Sequence, residues 1–183
     1  MTALVPDDDT MLKTVVPSLT LRALLPQDAA SLHAVVQTNH AHLTAHGDYL
    51  DLVRAPVDTL ADELGAPGQH RFGIFLSGQL IGRADLNPVD PPRYGLGYWL
   101  AQRATGSGYA THALAALLRF AREDLHASEV YAGVTGGNVR SERLLQRLGF
   151  AQVAMFDTYS RFRLELDKSA PGHTVLSQPP STK

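Results

Sequence analysis

Two closely spaced glycines, Gly106 and Gly108, stand just before a helical pattern, a position that suits a ligand-binding turn. They belong to the stretch 99–111, which runs from a strand-like segment into a helix. Glycines let a backbone turn tightly and approach a ligand closely, and the first turn of a helix carries N–H groups without intrahelical partners. The pattern therefore predicts a site for an anion such as a phosphate or pyrophosphate at the start of this helix.

Two better-known phosphate-binding loops do not fit this stretch. A P-loop requires Gly-Lys-Ser/Thr, whereas Tyr109 and Ala110 follow Gly108. A dinucleotide-binding fingerprint requires a third small residue where Thr111 stands, and a parallel strand–helix–strand unit that opens the fold. Here a meander of strands is predicted before the loop, so the sequence favours an anion-binding turn of another kind.

Hydrophobic periodicity and turn residues predict the elements that position this loop. In chain order we expect a strand (19–25), a helix from Pro26, two short helical pieces (40–52 and 58–64), three meandering strands (72–76, 80–86 and 94–100), a helix to about Asp124, a strand (129–135), a helix (138–148) and two strands (150–156 and 159–166). Mixed strands and helices in this order are typical of the α+β class.

Length and composition describe one globular domain without thiol chemistry. The chain has 183 residues, of which 44% are hydrophobic and 19% charged, and it contains no cysteine. Disulfides, thiolate nucleophiles, cysteine-based zinc sites and iron–sulfur clusters are therefore excluded. We expect a domain over residues 17–168 with flexible extensions over 1–16 and 169–183, because the first segment shows no clear periodicity and the last is rich in Pro, Ser and Thr.

Charge and hydropathy favour a cytoplasmic protein. The net charge is −2 and the pI about 6.4, which gives no general electrostatic reason to bind nucleic acid or an anionic membrane. No apolar run approaches the roughly 20 residues that span a bilayer. An acidic triplet, 7–9, stands where a signal peptide would be basic and then apolar. We expect neither a nucleic-acid nor a membrane partner.

Four histidines could suggest a metal site, but their spacing does not support one. His40, His42 and His46 are two and four residues apart, which does not put all three side chains on one helix face, and His70 follows much later. We therefore expect no bound metal.

The glycine loop resembles a known cofactor loop. Arg103-x-x-Gly106-x-Gly108 resembles the acetyl-CoA pyrophosphate loop of the GNAT superfamily of N-acetyltransferases. The run Gly-Tyr-Ala-Thr from Gly108 is similar to the RimJ/RimL branch of that superfamily, the ribosomal-protein N-terminal acetyltransferases.

Two further motifs support the same resemblance. Asn138-x-x-Ser141 followed by Leu-Gly-Phe at 148–150 is similar to a helix and strand of that branch, and the run Gly-Tyr-Trp-Leu at 97–100 is similar to its splayed fourth strand. The likeness covers residues 19–166 in a consistent order. On these motifs the chain is identified as a member of the superfamily.

The resemblance implies a fold and a co-substrate. The GNAT fold is a central mixed, mostly antiparallel sheet of about seven strands flanked by helices, with a V-shaped splay between the fourth and fifth strands. Acetyl-CoA is the implied co-substrate. The residues implied to hold it are Trp99, Leu100, Ala101, Arg103, Gly106, Ser107, Gly108, Tyr109, Ala110, Thr111, Asn138 and Ser141. Amides of 106–110 would meet the pyrophosphate, and the strand end 99–101 would pair with the pantetheine arm and offer an amide to the thioester carbonyl.

Asn138 and Ser141 are the catalytic residues that the resemblance implies. Many relatives carry a tyrosine seven residues beyond this asparagine as the proton donor to the thiolate, and Leu145 stands there in this chain. Ser141 is therefore the better candidate for that role. The alternative is structural, with Asn138 as the N-cap of the helix and Ser141 as a polar surface residue.

The general base is left open. RimL-like relatives often carry a glutamate just before the Gly-Tyr-Trp-Leu strand, and the matching stretch 94–96 has no carboxylate. Asp85, Asp90 and a water chain are the alternatives. Water would suffice for an α-amine, whose pKa of about 7.7 to 8.0 leaves it partly neutral.

The resemblance implies acetyl transfer to a primary amine, with a protein N-terminus, such as that of a ribosomal protein, as the leading acceptor. His46 occupies the place of a frequent tryptophan in the segment that shapes the acceptor pocket of the branch, so the substrate preference is expected to differ. A small-molecule amine acetyltransferase and a non-catalytic acyl-CoA-binding sensor are the alternatives. A homodimer is left open as the assembly.

Overall fold

The computed structural model describes residues 10–166. The eight strands are β1 (Met11–Lys13), β2 (Leu19–Ala23), β3 (His70–Leu76), β4 (Gln79–Asp90), β5 (Arg93–Leu100), β6 (Glu129–Thr135), β7 (Ala151–Met155) and β8 (Tyr159–Glu165). The helices are α1 (Ala29–Thr38), α2 (His40–Leu43), α3 (Leu50–Arg54), α4 (Val57–Gly65), α5 (Tyr109–Glu123) and α6 (Val139–Arg147), with short 3₁₀ turns at Pro26–Asp28 and Gln102–Ala104. The expected extension 169–183 and the first nine residues of the expected extension 1–16 lie outside the described residues.

Strand β1 is not predicted by the sequence pattern. It lies within the segment 1–16 and pairs antiparallel with β2, with Met11 opposite Arg22. Three residues are too few for an alternating pattern to be recognised, and tertiary contacts define the strand instead. Leu12 packs on the main core, and Arg119 of α5 donates a hydrogen bond to the carbonyl of Lys13 at 2.9 Å. The sheet therefore begins inside the expected extension and has eight strands rather than about seven.

The eight strands form one mixed sheet. Their spatial order is β1-β2-β3-β4-β5-β6-β8-β7. Every neighbouring pair is antiparallel except β5 and β6, which are parallel. This is the mixed, mostly antiparallel sheet that the resemblance implies, and the expected fold class is confirmed.

Strands β5 and β6 separate after four paired residues. Their register runs from Arg93 opposite Glu129 to Leu96 opposite Ala132 and then stops, although both strands continue. Residues 97–100 of β5 have no partner in β6, which confirms the V-shaped splay between the fourth and fifth predicted strands. The backbone on the inner edge of β5 is thereby left open to a ligand.

Strand β5 follows β4 rather than β6 because a glycine permits a close approach. Gly82 of β4 lies opposite Leu100 of β5. A Cβ atom on Gly82 would lie 2.3 Å from the carbonyl oxygen of Trp99 and 2.6 Å from the side chain of Leu100, distances that no side chain tolerates. The absence of a side chain therefore keeps the splayed part of β5 attached to β4.

Helices cover both faces of the sheet. Helix α5 buries Leu114, Leu117 and other apolar residues at helical spacing against the main core, as the pattern predicts. Helices α1, α3 and α4 pack with Trp99 on a second apolar cluster around Leu32 and Leu60. Within residues 10–166, no helix is long and apolar enough to cross a membrane.

The predicted helical piece 40–52 is interrupted. Helices α2 and α3 are joined by the loop 44–49, in which Gly47 has a φ of +84° and Tyr49 a φ of +57°. Positive φ values are incompatible with a continuous right-handed helix, so the chain turns here. This loop reaches the splay of the sheet.

An ion pair joins β2 to the turn that follows it. The guanidinium of Arg22 donates to both carboxylate oxygens of Asp28, at 2.7 and 2.8 Å, and Asp28 also accepts a hydrogen bond from the N–H of Leu25 at 2.9 Å. The hydrogen bond from Arg22 holds the pKa of Asp28 below its usual value, against the opposing effect of burial.

Asp28→Asn is expected to lower the free energy of unfolding at pH 7 by about 1–2 kcal/mol, since it removes a charged partner from a pair whose arginine is one-third exposed. A lowered folded-state pKa means that the stabilisation is complete above about pH 3.9, the unfolded value, and is lost as the pH falls through the folded value. Thermal unfolding at pH 7 and pH 2 should show that the difference in stability between the wild-type protein and the variant disappears in acid. Asp62→Asn, at an exposed position of α4, is the control. A difference in stability that does not depend on pH would contradict this interpretation.

Candidate active site

The open end of the splay forms a cavity of about 890 Å³. Its walls are the last residues of β5, the last residues of β6, the start of α5, one face of α6, and the segment 42–49. We call this space the splay cavity.

Most of the residues predicted to hold acetyl-CoA line the splay cavity. They are Trp99, Leu100, Gly106, Gly108, Tyr109, Ala110, Thr111, Asn138 and Ser141. The structure thus brings two separate sequence motifs, the glycine loop and the Asn-x-x-Ser helix, to one place.

Three of the predicted residues are not brought to the splay cavity. Ala101 and Arg103 line a separate shallow depression beside α1, and the guanidinium of Arg103 contacts Gln79 at 3.4 Å. Ser107 is exposed in the loop between the two glycines and does not line the cavity. The 3₁₀ turn at Gln102–Ala104 turns the chain away from the cavity before the glycine loop brings it back.

The start of α5 is prepared for an anion. Gly106 has a φ of +87° and Gly108, the N-cap residue, a φ of +79°. No side chain caps this helix and its first turn carries no acidic residue, so the first N–H groups have neither an internal partner nor a competing carboxylate. Within 4 Å of the place that a Cβ of Gly106 would take there is no other atom. This open cradle fits a pyrophosphate.

Gly108→Val is expected to weaken coenzyme A binding at least about 100-fold, or about 2.7 kcal/mol, because valine resists a positive φ and its side chain would fill the cradle. Calorimetric titration of the folded variant measures this. Gly68→Val is a matched control, since Gly68 has a φ of +76°, no atom near its Cβ position, and lies outside the splay cavity. Equal affinities in the two variants would contradict the assignment of the cradle.

The inner edge of β5 offers fewer amides than expected. The N–H of Ala101 donates to the carbonyl of Ile81 in β4 at 2.7 Å. Along a strand the backbone N–H and C=O groups of successive residues point to opposite neighbours. The backbone groups of Trp99 therefore also face β4, whereas those of Tyr98 and Leu100 face the splay. Of the segment 99–101, which is expected to pair with the pantetheine arm, the N–H of Leu100 is therefore the one directed into the splay, and its pairing with a ligand stays a prediction.

The loop 44–49 contacts both arms of the splay. The hydroxyl of Tyr49 donates to the carbonyl of Tyr98 on β5 at 2.5 Å. The hydroxyl of Thr135, at the end of β6, donates to the carboxylate of Asp48. Burial of the Tyr49 hydroxyl and the nearby charge of Asp48 raise the pKa of this tyrosine. The loop is thereby fixed across the open end of the V.

Helix α6 presents Asn138 and Ser141 to the splay cavity. The side-chain oxygen of Asn138 accepts a hydrogen bond from the N–H of Ser141 at 3.2 Å, so the N-cap alternative for Asn138 is confirmed. Ser141 is partly buried and lines the cavity rather than an open surface. Leu145 is fully buried in the main core.

Three arginines of α6 form a cationic wall that the sequence analysis did not single out. Arg140, Arg143 and Arg147 all line the splay cavity. None of them forms an ion pair with another residue of 10–166. Their spacing of three and four residues puts them on one helix face, and this is the signal that the sequence carried.

Neither carboxylate considered as the general base reaches the splay cavity. Asp85 is partly buried beside Arg83, with an N–O distance of 2.8 Å, and its burial raises its pKa while Arg83 opposes the shift. Asp90 is exposed and pairs with Arg93 near the tip of the β4–β5 hairpin. Among the described residues, Asp48 is the carboxylate that lines the cavity.

The histidines lie in different parts of the molecule. His42 and His46 line the splay cavity. His70 is buried in the core, where its ring lies about 6 Å from those of Tyr94 and Phe120, and burial lowers its pKa. The part of the chain that the structure describes contains no group of three or more potential ligands arranged for a metal ion.

Comparison with known proteins agrees with this geometry. Residues 18–151 match the family model described as "Acetyltransferase (GNAT) domain". The match spans well over half of the chain, and the protein therefore belongs to this family of N-acetyltransferases.

Some of the similar proteins are named as ribosomal acetyltransferases. The chain is 27% identical over 146 residues to "Putative ribosomal N-acetyltransferase YdaF" of Bacillus subtilis (strain 168), which covers 73% of this chain and 78% of the relative. A solved structure of RimL, named as the ribosomal L7/L12 alpha-N-protein acetyltransferase in complex with coenzyme A, superposes with a TM-score of 0.76 at 18% identity, covering 86% and 99% of the two chains. Mycobacterium smegmatis RimJ superposes with a TM-score of 0.76 at 21% identity, covering 92% and 93%. These two structures establish the shared fold.

Proposed function

We propose that this protein transfers the acetyl group of acetyl-CoA to a primary amine, with the N-terminal amine of a protein, such as a ribosomal protein, as the leading acceptor. The observation that carries this proposal is the different charge of two adjoining cavities. Three arginines and the free amides of α5 line the splay cavity, whereas a second cavity that meets it at Asp48 is lined by two aspartates and by neither lysine nor arginine among the described residues.

The positive charge in the lining of the splay cavity suits the phosphates of the donor. The free N–H groups at the start of α5 would hold the pyrophosphate, and Arg140, Arg143 and Arg147 would supply further positive charge. Acetyl-CoA supplies a thioester whose carbonyl carbon is attacked by the amine. The N–H of Leu100 faces the splay and would donate to the carbonyl oxygen as negative charge develops there.

The negative charge in the lining of the second cavity suits a cationic amine. At His46, Asp48, Gly133 and Thr135 the splay cavity continues into a second cavity of about 740 Å³. The turn between β7 and β8 completes its wall and contributes Asp157. The described residues that line this second cavity include two aspartates and neither lysine nor arginine, so its potential attracts an ammonium group.

Asp48 lies where the two cavities join. Its carboxylate is oriented by the hydroxyl of Thr135 and can hold the acceptor amine at the mouth of the splay. The proton that the amine must lose passes to Asp48 or to water, which the open second cavity admits.

Relatives named for ribosomal acetylation support a protein N-terminus as the acceptor. An acceptor of this kind would place the reaction in the cytoplasm. The second cavity leads outward from Asp48 along the turn at Asp157, which leaves room for residues that follow an acetylated terminus.

The proposed activity is tested by thiol release from acetyl-CoA in the presence of short peptides with free N-termini, the same peptides with blocked N-termini, and small amines. Release with the free peptides alone supports the proposal. Release with small amines alone identifies a small-molecule acetyltransferase, and coenzyme A binding without release for any amine identifies a non-catalytic sensor.

Asp48→Asn is expected to raise the KM for the amine about tenfold or more while leaving coenzyme A affinity unchanged, because it removes the negative charge at the acceptor end only. Steady-state kinetics and calorimetry separate these effects. Asp51→Asn, on the exposed surface of α3, is the matched control. A loss confined to coenzyme A binding would contradict the placement of the acceptor.

A further inference from the structure

The hydroxyl of Tyr98 is a buried polar group that the reaction described above does not use. Its oxygen is enclosed and makes no hydrogen bond of normal geometry with any residue of 10–166. An unpaired buried hydroxyl costs about 1–3 kcal/mol, and such groups are rare in folded proteins. Tyr98 also lines the splay cavity, so a role in the site accounts for an otherwise unfavourable arrangement.

Strand geometry directs this hydroxyl toward α6. Tyr98 and Trp99 are neighbours on β5, and their side chains lie on opposite faces of the sheet. Trp99 packs in the cluster under α1 and α4, whereas Tyr98 packs against the main core, which includes the apolar side of α6.

Two side chains of α6 act on the Tyr98 hydroxyl. The Ser141 hydroxyl is close enough to interact with it, although the pair falls short of a hydrogen bond of normal geometry. Burial raises the pKa of Tyr98, and both the Ser141 contact and the positive charge of Arg147 oppose that shift. Tyr98, Ser141 and Arg147 thus line the same cavity, with the serine next to the phenol and the positive charge of Arg147 near enough to act on it.

We propose that Tyr98 is the proton source for the departing thiolate and that Ser141 passes the proton between them. The proposal rests on the proposed function, since it concerns the leaving group of the same transfer. A serine hydroxyl is by itself a very weak acid. A phenol ionises at about pH 10 and a thiol at about pH 8.5, so tyrosine is much better matched to the sulfur.

Protons balance in the step in which the thiolate departs. The bond between the acetyl carbon and sulfur breaks, and its electron pair stays on sulfur. Sulfur takes the proton of Ser141 while the serine oxygen takes the proton of Tyr98, so the serine is unchanged. The positive charge of Arg147 favours the phenolate left at Tyr98. Because the Tyr98 oxygen is enclosed, a proton from solvent returns to it through Ser141 when the product leaves. The amine has lost one proton and the sulfur has gained one.

The first test compares Tyr98→Phe, Ser141→Ala and the double variant. Tyr98→Phe removes one unpaired oxygen and keeps the ring, so the fold should be retained. Each single variant should lower kcat by about 10²-fold with coenzyme A affinity unchanged. The double variant should lose little more than either single variant, because the two residues form one relay.

Tyr131→Phe is the matched control, since it removes a hydroxyl from β6 that bonds Glu129 outside the splay cavity. An unchanged kcat in Tyr98→Phe would overturn the relay, and so would losses that multiply in the double variant. An inactive wild-type protein would overturn the proposed function as well, whereas an active one with an unaffected Tyr98→Phe overturns the relay alone.

The second test replaces Tyr98 by fluorinated tyrosines of increasing acidity and nearly constant size. A proton donor makes kcat change progressively with the acidity of the phenol, because proton transfer follows Brønsted behaviour. A residue that only fills space would leave kcat independent of that acidity, and this result would overturn the proposal.

Discussion

The separation of β5 from β6 after Leu96 and Ala132 is the feature on which the rest of the site depends. Two parallel neighbours cannot be joined by a hairpin, so the chain must cross over between them, and here it does so through α5. A crossover helix begins where the preceding strand ends. The free N–H groups of α5 therefore lie at the open end of the V, and α6 begins close to the other arm, after β6 ends at Thr135. One divergence of strands thus places two helix starts and an open strand edge around a single cavity.

Contacts from both sides hold the two arms in this open arrangement. On one side, Gly82 lets β4 approach β5 so closely that the splayed part of β5 keeps its pairing. On the other side, the loop 44–49 contacts β5 through Tyr49 and β6 through Asp48. The same loop lines both the splay cavity and the second cavity, through His46 and Asp48. In the proposed reaction the donor phosphates would meet the arginines and helix amides of the splay cavity, and the acceptor ammonium would meet the aspartates of the second cavity.

Local patterns predicted the parts of the site that depend on local geometry. The glycine loop, the apolar face of α5 and the cap at Asn138 each follow from residues within one turn or one helix, and the structure contains all three. Features that depend on distant partners were not predictable in this way. Strand β1 is too short to show a period, and Asp48 gains its position only because a loop reaches across to Thr135. Motif spacing also does not show which side of a strand or turn faces a cavity. Ala101 and Arg103 line a separate depression beside α1, and their contact with the cofactor stays a prediction.

Amide hydrogen exchange, followed by NMR with and without acetyl-CoA in the absence of amine, tests most directly whether the splay holds the donor. The N–H groups of Leu100 and of residues 109–111 should exchange more slowly when acetyl-CoA is bound, because none of residues 10–166 accepts a hydrogen bond from them in the free protein. The N–H of Ala101 already donates to Ile81 and should change little. Protection at a different surface, or protection that omits both Leu100 and the start of α5, would contradict the account.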